Sequence, residues 1–313
     1  MRILITGGFG FLGGRLAIHL AQAGYSIVLG SRKDVASPPW LPQSEVMQTD
    51  WDDVEVLKHC CKAVDVVIHA AGINAQDCVA DPVAALAFNG VATARLVSAA
   101  CSAGVKRFIY LSTAHVYSSP LVGNITEETF PRNLHPYATS HFAGECVIRS
   151  ANQRNEIEGI VVRLSNAYGA PVHMNVDCWM LLINDLCRQA ATTQSLILRT
   201  SGLQRRNFIS LPDVCQAISC LLFANISNLS TGIFNVGGYW SPTVWEVACL
   251  IHERCSTILN FEPRLIRIAP HKNEHVVGLK YCCDALHKIG FQPSASNVEE
   301  IDHLLDFCKT SFS

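Results

Sequence analysis

Apolar and polar positions follow two repeating patterns over the first half of the chain. Short apolar runs, typical of buried strands, alternate with longer stretches whose apolar residues recur at helical spacing. The predicted strands are Arg2–Thr6, Ser26–Leu29, Val64–His69, Lys106–Ser112 and Gly159–Leu164. The predicted helices are Leu12–Ala23, Val54–Cys61, Pro82–Ala103 and Ser140–Arg154. The alternation predicts an α/β fold, a doubly wound parallel sheet with helices on both faces.

A glycine-rich segment joins the first predicted strand to the first helix. It reads Gly7-Gly8-Phe9-Gly10-Phe11-Leu12-Gly13, and we predict cofactor contacts from Gly7, Gly10, Phe11, Leu12 and Gly13. Here the backbone must turn tightly, approach a pyrophosphate and direct helix N-terminal N–H groups toward it. This context predicts the phosphate loop of a Rossmann fold, and the alternative is a glycine-rich turn without a ligand.

The regular alternation of strands and helices ends after Leu164. The later predicted elements are a helix over about Val176–Ala190, a strand Phe208–Leu211, a helix Asp213–Ala224 and a strand Gly232–Val236. We expect a dinucleotide-binding Rossmann domain over residues 1–164, completed by about 208–236. The remaining segments, 165–207 and 237–313, form a smaller interleaved C-terminal substrate-binding lobe. A ligand would lie in the cleft between them.

Composition and charge restrict the class of partner. The 313 residues are 49% apolar, enough for a sizeable core, and the net charge of -2 provides no basic surface for nucleic acid or anionic membrane. The start of the chain does not resemble a signal peptide, and no uninterrupted apolar run is long enough to span a membrane. The 14 cysteines lack metal-site spacing, so we expect no metal, reduced thiols and a cytoplasmic protein.

Further chemistry-bearing segments follow the glycine loop in order. They are Asp50, His69-Ala70-Ala71-Gly72, Asn89 with Thr93, Leu111 to Tyr117, Pro136 to His141, Arg163 to Gly169, Arg206 to Ile209 and Phe234 to Gly238. Together with the G-x-x-G-x-x-G spacing, they resemble the extended short-chain dehydrogenase/reductase family, which includes nucleotide-sugar epimerases, dehydratases and 4-ketoreductases. The resemblance adds a further set to the expected cofactor site: Asp50, Trp51, Ala70, Ala71, Gly72 and Asn89.

The residues after the second predicted strand bear on the choice of dinucleotide. A carboxylate there hydrogen-bonds the ribose of NAD, whereas an arginine pairs with the 2′-phosphate of NADP. This chain has Arg32 and Lys33 at that point, and a guanidinium suits a phosphate. NADP(H) is therefore favoured. NAD(H) remains the alternative if Asp34 acts as the acid.

The resemblance also implies a catalytic set. In the family a hydroxyl residue and a tyrosine flank the substrate carbonyl or carbinol, and a lysine four positions after the tyrosine binds the nicotinamide ribose and lowers the tyrosine's pKa. Thr113 and Tyr137 match the first two, but the lysine position is His141. Tyr137 and His141 are also expected to contact the cofactor, and Thr113 the substrate.

His141 leaves two interpretations open. An imidazole has an ordinary pKa of about 6.5, so it is largely neutral at pH 7 and lowers a phenol's pKa less than lysine does. Glu145, one helical turn further on, could keep it protonated. Either the enzyme works with a modified proton relay, or the chain is a catalytically silent nucleotide-binding subunit. The retained Thr113 and Tyr137 favour activity.

Two other histidines lie near these motifs. His115 could point into the same site, but a lone histidine is more often structural, so we predict that it packs against the sheet. We assign His69 to the scaffold as well.

At the substrate end, Asn166 and Arg206 match positions that contact the substrate's diphosphate in the resembling epimerases. The planar guanidinium of arginine can bind a phosphate through two hydrogen bonds. The alternative for Arg206 is a surface charge beside Arg205.

The prediction is a cytoplasmic NADPH-dependent oxidoreductase that reduces a keto group, C4 of a nucleotide-linked sugar. The alternative enzyme is an NAD-dependent nucleotide-sugar epimerase or dehydratase. The resembling family commonly pairs two long helices across a dimer axis. We therefore expect a homodimer through Asp81–Ala103 and Ser140–Asn152, which are rich in small residues.

Overall fold

The computed structural model describes residues 1–225 and 232–312. Its strands are β1 (Arg2–Thr6), β2 (Ser26–Ser31), β3 (Glu45–Gln48), β4 (Val66–His69), β5 (Arg107–Thr113), β6 (Gly123–Ile125), β7 (Glu158–Leu164), β8 (Asn166–Tyr168), β9 (Ser195–Ile197), β10 (Phe208–Ser210), β11 (Ile233–Val236), β12 (Arg264–Ile266) and β13 (Leu279–Tyr281). Its helices are α1 (Phe11–Gln22), α2 (Val54–Cys60), α3 (Ala75–Ala80), α4 (Pro82–Leu86), α5 (Thr93–Ser102), α6 (Pro136–Gln153), α7 (Leu182–Thr193), α8 (Leu211–Phe223), α9 (Val244–Ile258), α10 (Asp284–Lys288) and α11 (Asn297–Phe312).

A seven-stranded sheet forms the centre of the molecule. Its strand order is β11-β7-β5-β4-β1-β2-β3, and every pairing within it is parallel. The predicted doubly wound parallel sheet is therefore confirmed. The edge strand β3 corresponds to no apolar run in the sequence, since two of its residues, Glu45 and Gln48, are polar and exposed.

Alternate residues of the central strands supply two cores. On β1, Ile3 and Ile5 pack toward α1 and α8, whereas Leu4 packs toward α2, α5 and α6. Helices thus cover both faces. The carboxyl ends of the parallel strands meet at one edge of the sheet, the edge at which doubly wound folds bind ligands.

A smaller lobe is built on α7, α9 and α11, with the short pairs β8–β10 and β9–β12 beside it. The helix α8 and the strand β11 return to the main domain, where β11 pairs with β7. One part of the predicted lobe segment 237–313 lies elsewhere. Tyr281, Leu286 and Phe291 are buried in the core of the main domain, because β13 pairs with β6 beside the sheet.

Several predicted element boundaries were wrong. The helix expected over 176–190 begins at Leu182, because Val176 and Cys178 are buried in turns that precede it. The helix expected from Ser140 begins at Pro136, since proline fits the first helical turn and the His135 side chain caps it. This earlier start puts Tyr137 and His141 on one helix.

The stretch expected as one helix over 82–103 consists of α4, a π-helical turn at Ala87–Ala92, and α5. Residues Pro82–Ser102 have the length and composition of a membrane span, with a mean hydropathy of 1.4, and half of that window is buried inside the fold. Its inner face packs against α2 and α6, as a core helix does.

Candidate active site

The glycine loop has the geometry of an anion-binding turn. Gly7 has a φ of 67°, and a Cβ there would lie 2.8 Å from the Ala71 backbone N, so the loop can approach the end of β4 only as glycine. The Gly10 N–H donates to the Gly7 carbonyl at 2.9 Å. A Cβ on Gly13 would overlap that same carbonyl.

The start of α1 is left open for a ligand. Its N-cap Gly10 offers no side-chain cap, and its first turn contains no acidic residue. By contrast, Asp53 caps α2 and Asn74 caps α3 through their side chains. Uncapped N–H groups and the positive end of the helix dipole favour a phosphate. The residues present therefore fit the pyrophosphate of a dinucleotide.

The far wall of the cofactor cleft is the loop after β4, which contains Ala70, Ala71 and Gly72. Asn89, on the π-helical turn, is buried and holds this loop to α6. Its Oδ1 accepts from the Ile73 N–H at 3.0 Å, and its Nδ2 donates to Ser140 Oγ at 3.0 Å. Asn89 thus positions the loop, and its expected contact with the cofactor stays a prediction.

At the other end of the cleft, Arg32 and Lys33 follow β2 and are exposed. Within residues 1–225 and 232–312, no carboxylate pairs with either side chain. Two cations therefore stand at the turn where a nucleotide ribose would lie. Asp50 is also exposed, whereas the Trp51 ring packs against Phe88 and His69.

Thr113 and Tyr137 come together at the carboxyl edge of the sheet. Thr113 ends β5, is buried, and accepts a hydrogen bond from the His115 N–H at 3.1 Å. Tyr137 lies in the first turn of α6 with its ring half-buried. Burial raises the pKa of Tyr137 above its ordinary value, and a polar contact with Thr113 offsets part of that rise. The Tyr137 phenol is therefore protonated at neutral pH.

His141 lies beside Tyr137, with the two ring centroids 4.6 Å apart in an edge-to-face arrangement. Its Nδ1 lies 3.1 Å from the Tyr110 hydroxyl, and burial lowers the pKa of His141 to about 4. The ring is therefore neutral. Its Nε2 faces Gly72, on the cofactor side, and makes no hydrogen bond within the described part of the chain.

Glu145 does not keep His141 protonated, although its place one helical turn further on had left that possibility open. Its carboxylate forms a buried ion pair with Arg163, with Oε2 and Nη2 2.6 Å apart, and accepts from Ser112 Oγ at 2.5 Å. Because Arg163 already balances its charge, Glu145 stabilises no imidazolium. The Nδ1 of His141 lies beside the Tyr110 hydroxyl instead.

His115 lies next to Tyr137, and the expectation that it packs against the sheet stays a prediction. Its ring meets the Tyr137 ring edge to face, with centroids 6.4 Å apart. Burial and the nearby charges of Arg206 and His135 lower the pKa of His115 to about 4. His69, by contrast, lies between Thr6 and Thr93, each bonded to one ring nitrogen, as a scaffold residue does.

Tyr110 was missed at the sequence level. It lies two residues before Ser112 on the fully buried strand β5, so both side chains face α6. Polar groups at alternate positions of a buried strand need partners, and here these are His141 and Glu145. The polar residues Tyr110 and Ser112 at alternate positions of an apolar run were the feature of the sequence that could have identified Tyr110.

At the substrate end, Arg206 lies half-buried just before β10. Burial lowers its pKa, and no carboxylate or carbonyl partner binds its guanidinium among the described residues. Arg205 differs, because it donates to the Ser241 carbonyl at 2.7 Å and pairs with Glu246. The Asn166 Nδ2 donates to the Asn207 carbonyl at 2.8 Å. An unpaired, enclosed guanidinium is suited to an anion.

These features have counterparts in known proteins. The model of the NAD-dependent epimerase/dehydratase family matches residues 3–237. The chain belongs to this family. The match extends from β1 through the glycine loop, the helix α6 and Arg206 to the end of β11. It confirms the resemblance inferred from the motifs.

Individual relatives lie at moderate distance. The mouse (Mus musculus) dTDP-D-glucose 4,6-dehydratase is 29% identical over 261 residues, which cover 79% of this chain and 71% of the relative. The structure of MoeE5 in complex with UDP-glucuronic acid and NAD superposes with a TM-score of 0.81 at 21% identity, covering 99% of this chain and 100% of that chain. The structure of a dTDP-glucose 4,6-dehydratase from Streptomyces venezuelae, solved with NAD, superposes with a TM-score of 0.79 at 22% identity. The superposition covers 98% of this chain and 96% of that chain.

Proposed function

We propose that this protein is an NADPH-dependent reductase that converts a keto group, C4 of a nucleotide-linked sugar, into a carbinol. The observation that carries the proposal is the neutral pair at the catalytic position. Tyr137 has a raised pKa, and its neighbour His141 is uncharged because burial lowers its pKa to about 4. A phenol that keeps its proton is a donor.

Reduction of a carbonyl requires such a donor, since the oxygen must gain a proton as the carbon gains a hydride. NADPH, when bound, would supply the hydride. Thr113 would hydrogen-bond the carbonyl oxygen, and Tyr137 would transfer its proton to that oxygen. Tyr137, which is partly exposed, would then regain a proton from solvent in the cleft.

The opposite reaction makes a different demand on Tyr137. An epimerase or dehydratase that begins by oxidising a carbinol needs a group that accepts the carbinol's proton, which here would have to be a tyrosinate. A cation beside the phenol would favour that form, but His141 is neutral and Glu145 is paired with Arg163. This contrast favours reduction.

The cofactor preference rests on Arg32 and Lys33, which are exposed and unpaired at the ribose end of the cleft within the described chain. Arginine and lysine at that position would bind a 2′-phosphate. His141 Nε2, facing Gly72, would hydrogen-bond the nicotinamide ribose. The substrate class follows from Arg206, whose guanidinium suits a diphosphate, and is supported by MoeE5, which was solved with UDP-glucose and UDP-glucuronic acid.

A second candidate function has its own support. The dehydratase relatives and the solved neighbours that hold NAD favour an NAD-dependent epimerase or dehydratase. The third reading, a catalytically silent subunit, rests on His141 in place of lysine.

One experiment separates the three. Binding of NADPH and of NAD to the purified protein is measured by calorimetry, and any co-purified nucleotide is identified by mass spectrometry. Preference for NADPH, abolished in an Arg32→Glu variant, together with oxidation of NADPH in the presence of 4-keto nucleotide sugars, supports the reductase. Stoichiometric co-purified NAD favours the epimerase or dehydratase. Nucleotide binding without turnover favours the silent subunit.

We further propose a homodimer in a reducing, cytoplasmic setting. Val83, Leu86 and Val91, on the segment expected to form the dimer contact, are 79%, 50% and 48% exposed. A second copy would cover these apolar side chains. A Val83→Glu/Leu86→Glu variant should then elute as a monomer in size exclusion with light scattering.

The 14 free cysteines support a reducing cellular compartment, because an oxidising compartment favours disulfides.

A further inference from the structure

The hydroxyl of Tyr110 reaches the ring of His141 through a space that a glycine leaves open. Tyr110 lies on β5 and His141 on α6, and their rings are tilted against each other with centroids 6.0 Å apart. A Cβ on Gly144, three residues after His141, would lie 2.5 Å from the Tyr110 hydroxyl oxygen. Because this position is glycine, the phenol fits against α6, and its oxygen lies 3.1 Å from His141 Nδ1.

The direction of this hydrogen bond follows from the acceptors that the Tyr110 hydroxyl can reach. A phenol has one proton to donate, and here the acceptors are His141 Nδ1 at 3.1 Å and the His141 carbonyl at 3.4 Å. The carbonyl contact is longer and therefore weaker, and that carbonyl lies inside α6, where its ordinary partner is the N–H four residues further on. Donation to Nδ1 is therefore favoured.

Thr93, a second polar neighbour of the Tyr110 hydroxyl, already has partners of its own. Its hydroxyl donates to the Asn89 carbonyl at 2.8 Å and lies 3.0 Å from His69 Nε2. Because the Thr93 proton goes to Asn89, His69 Nε2 must be the donor to the Thr93 oxygen. The hydrogen bonds of Thr93 are thus complete without Tyr110.

The bond at Nδ1 decides where the ring proton of His141 lies. A neutral imidazole has a single ring proton, and the nitrogen that accepts a hydrogen bond does not hold it. The proton is then on Nε2, which would lie 3.6 Å from a Cβ on Gly72 and is not fully enclosed by protein. The reverse arrangement, in which Nδ1–H donates to the phenol oxygen, would direct a lone pair toward the cofactor cleft.

We propose that Tyr110 is a positioning residue that keeps the ring proton of His141 on Nε2, so that the imidazole offers an N–H donor to the ribose of a bound dinucleotide. This inference rests on the proposed function, because it takes a dinucleotide as the ligand of the cleft. A neutral histidine held in this way supplies the hydrogen bond without a positive charge. Tyr137 then keeps the proton that reduction requires.

The first test locates the ring proton in the protein without cofactor. With ¹⁵N-labelled histidine, the protonated ring nitrogen resonates far upfield of the unprotonated one, so the two shifts give the fraction of each tautomer. The His141 signals are those that disappear in His141→Gln. The wild type should have its proton on Nε2 at pH 7, whereas Tyr110→Phe, which keeps the ring and removes the hydroxyl, should show both tautomers.

Tyr117→Phe is the matched control for that measurement. Tyr117 is another buried tyrosine, and its hydroxyl donates to Asn235 Oδ1 at 2.7 Å. The variant therefore loses a buried hydrogen bond of the same kind, but it should keep the wild-type tautomer of His141. The second test measures the affinity for NADPH and NAD by calorimetry. Tyr110→Phe should lose roughly 3- to 10-fold, as for one hydrogen bond, and Tyr117→Phe should lose none.

Three results would overturn the proposal. They are a wild-type ring protonated on Nδ1, a ring proton that stays wholly on Nε2 in Tyr110→Phe, and an unchanged dinucleotide affinity in that variant. If the wild type binds neither NADPH nor NAD, the proposed function fails at its cofactor, while the ¹⁵N shifts of the free protein still decide whether Tyr110 sets the tautomer.

Discussion

The ring of His141 stands edge to face against the ring of Tyr137, 4.6 Å away between centroids, and is uncharged. The position one helical turn after Tyr137 is therefore occupied by a neutral group. Its Nδ1 lies beside the Tyr110 hydroxyl, so the surrounding residues hold the imidazole in one defined position. This relationship leads to a prediction about pH.

A His141→Lys variant should convert Tyr137 from a proton donor toward a proton acceptor. An opposite charge within about 4–6 Å lowers the pKa of an acid by roughly 1–3 units, so the variant's phenol should ionise at lower pH than the wild type's. The rate of keto reduction should then fall at a lower pH in the variant. Oxidation of the corresponding carbinol with NADP⁺ should become faster at neutral pH. The measurement is kcat/KM against pH in both directions.

A His141→Gln variant, which adds no charge, is the control for that experiment. It should leave the alkaline limb of the reduction profile where it is in the wild type. Identical profiles for the lysine variant and the wild type would show that the Tyr137 pKa is set elsewhere. Activity that appears only in the lysine variant would identify the natural chain as the silent subunit.

Acid should destabilise the fold through His141. Its pKa in the folded state is about 4, below the ordinary value of 6.5, so between these values the unfolded chain binds the extra proton. The stabilising contribution is complete above pH 6.5 and is lost as the pH falls through about 4. The slope is at most about 1.4 kcal/mol per pH unit for one histidine. His69, which is buried, and His115, which is partly buried, have lowered pKa values of about 3 and about 4 and act in the same direction.

The measurement is the free energy of unfolding from urea titrations at pH 7, 6 and 5. His141→Gln should show a shallower decline than the wild type, by up to the slope of one histidine, whereas His59→Gln at an exposed position should not. Parallel declines in the wild type and His141→Gln would mean that His141 takes up its proton in the folded state as readily as in the unfolded chain.

Replacement of Arg206 should weaken nucleotide binding far more than replacement of its neighbour. Arg206→Gln removes a guanidinium that has no carboxylate partner in the described structure, and hydrogen bonds to charged groups contribute about 1.5–3 kcal/mol, or roughly 10- to 150-fold in affinity. Arg205→Gln is the matched control, because Arg205 is already held by Glu246 and Ser241. The readout is UDP and dTDP affinity. Equal losses in both variants would place the diphosphate elsewhere.

The fold was legible in the sequence because it depends on local patterns of apolar and polar residues. The strands of the central sheet other than β3 are largely apolar, and Gly7 and Thr113 directly follow predicted strands, at the edge where doubly wound folds bind ligands. The state of His141 was not legible. The charge of the His141 ring depends on its burial against Tyr110, which lies on β5, and on the ion pair that already occupies Glu145. The partner in that ion pair, Arg163, lies on a different strand, β7.

The orientation of His115 was likewise not legible in the sequence. A single histidine after a strand gives no indication of which way its ring points, so the sequence did not show that the His115 ring lies beside Tyr137. Its backbone bonds to Thr113 and Asn133 fix the orientation, and the second of these comes from the loop before α6. Contacts between segments distant in sequence, rather than residue type, decide such roles.

The buried pair of Glu145 and Arg163 should be the point beneath the helix α6 at which a substitution destabilises the fold most. The side chains are 0% and 2% exposed, and they join α6, which carries Tyr137 and His141, to β7 of the sheet. Glu145→Gln would leave the Arg163 charge buried without its partner, a change that costs about 3–5 kcal/mol in such settings. We expect that loss in urea titrations. A Glu145→Gln/Arg163→Met double variant should recover part of it, because no unpaired charge remains. If the single variant is as stable as the wild type, or the double variant is less stable than the single, the pair does not anchor α6 as argued.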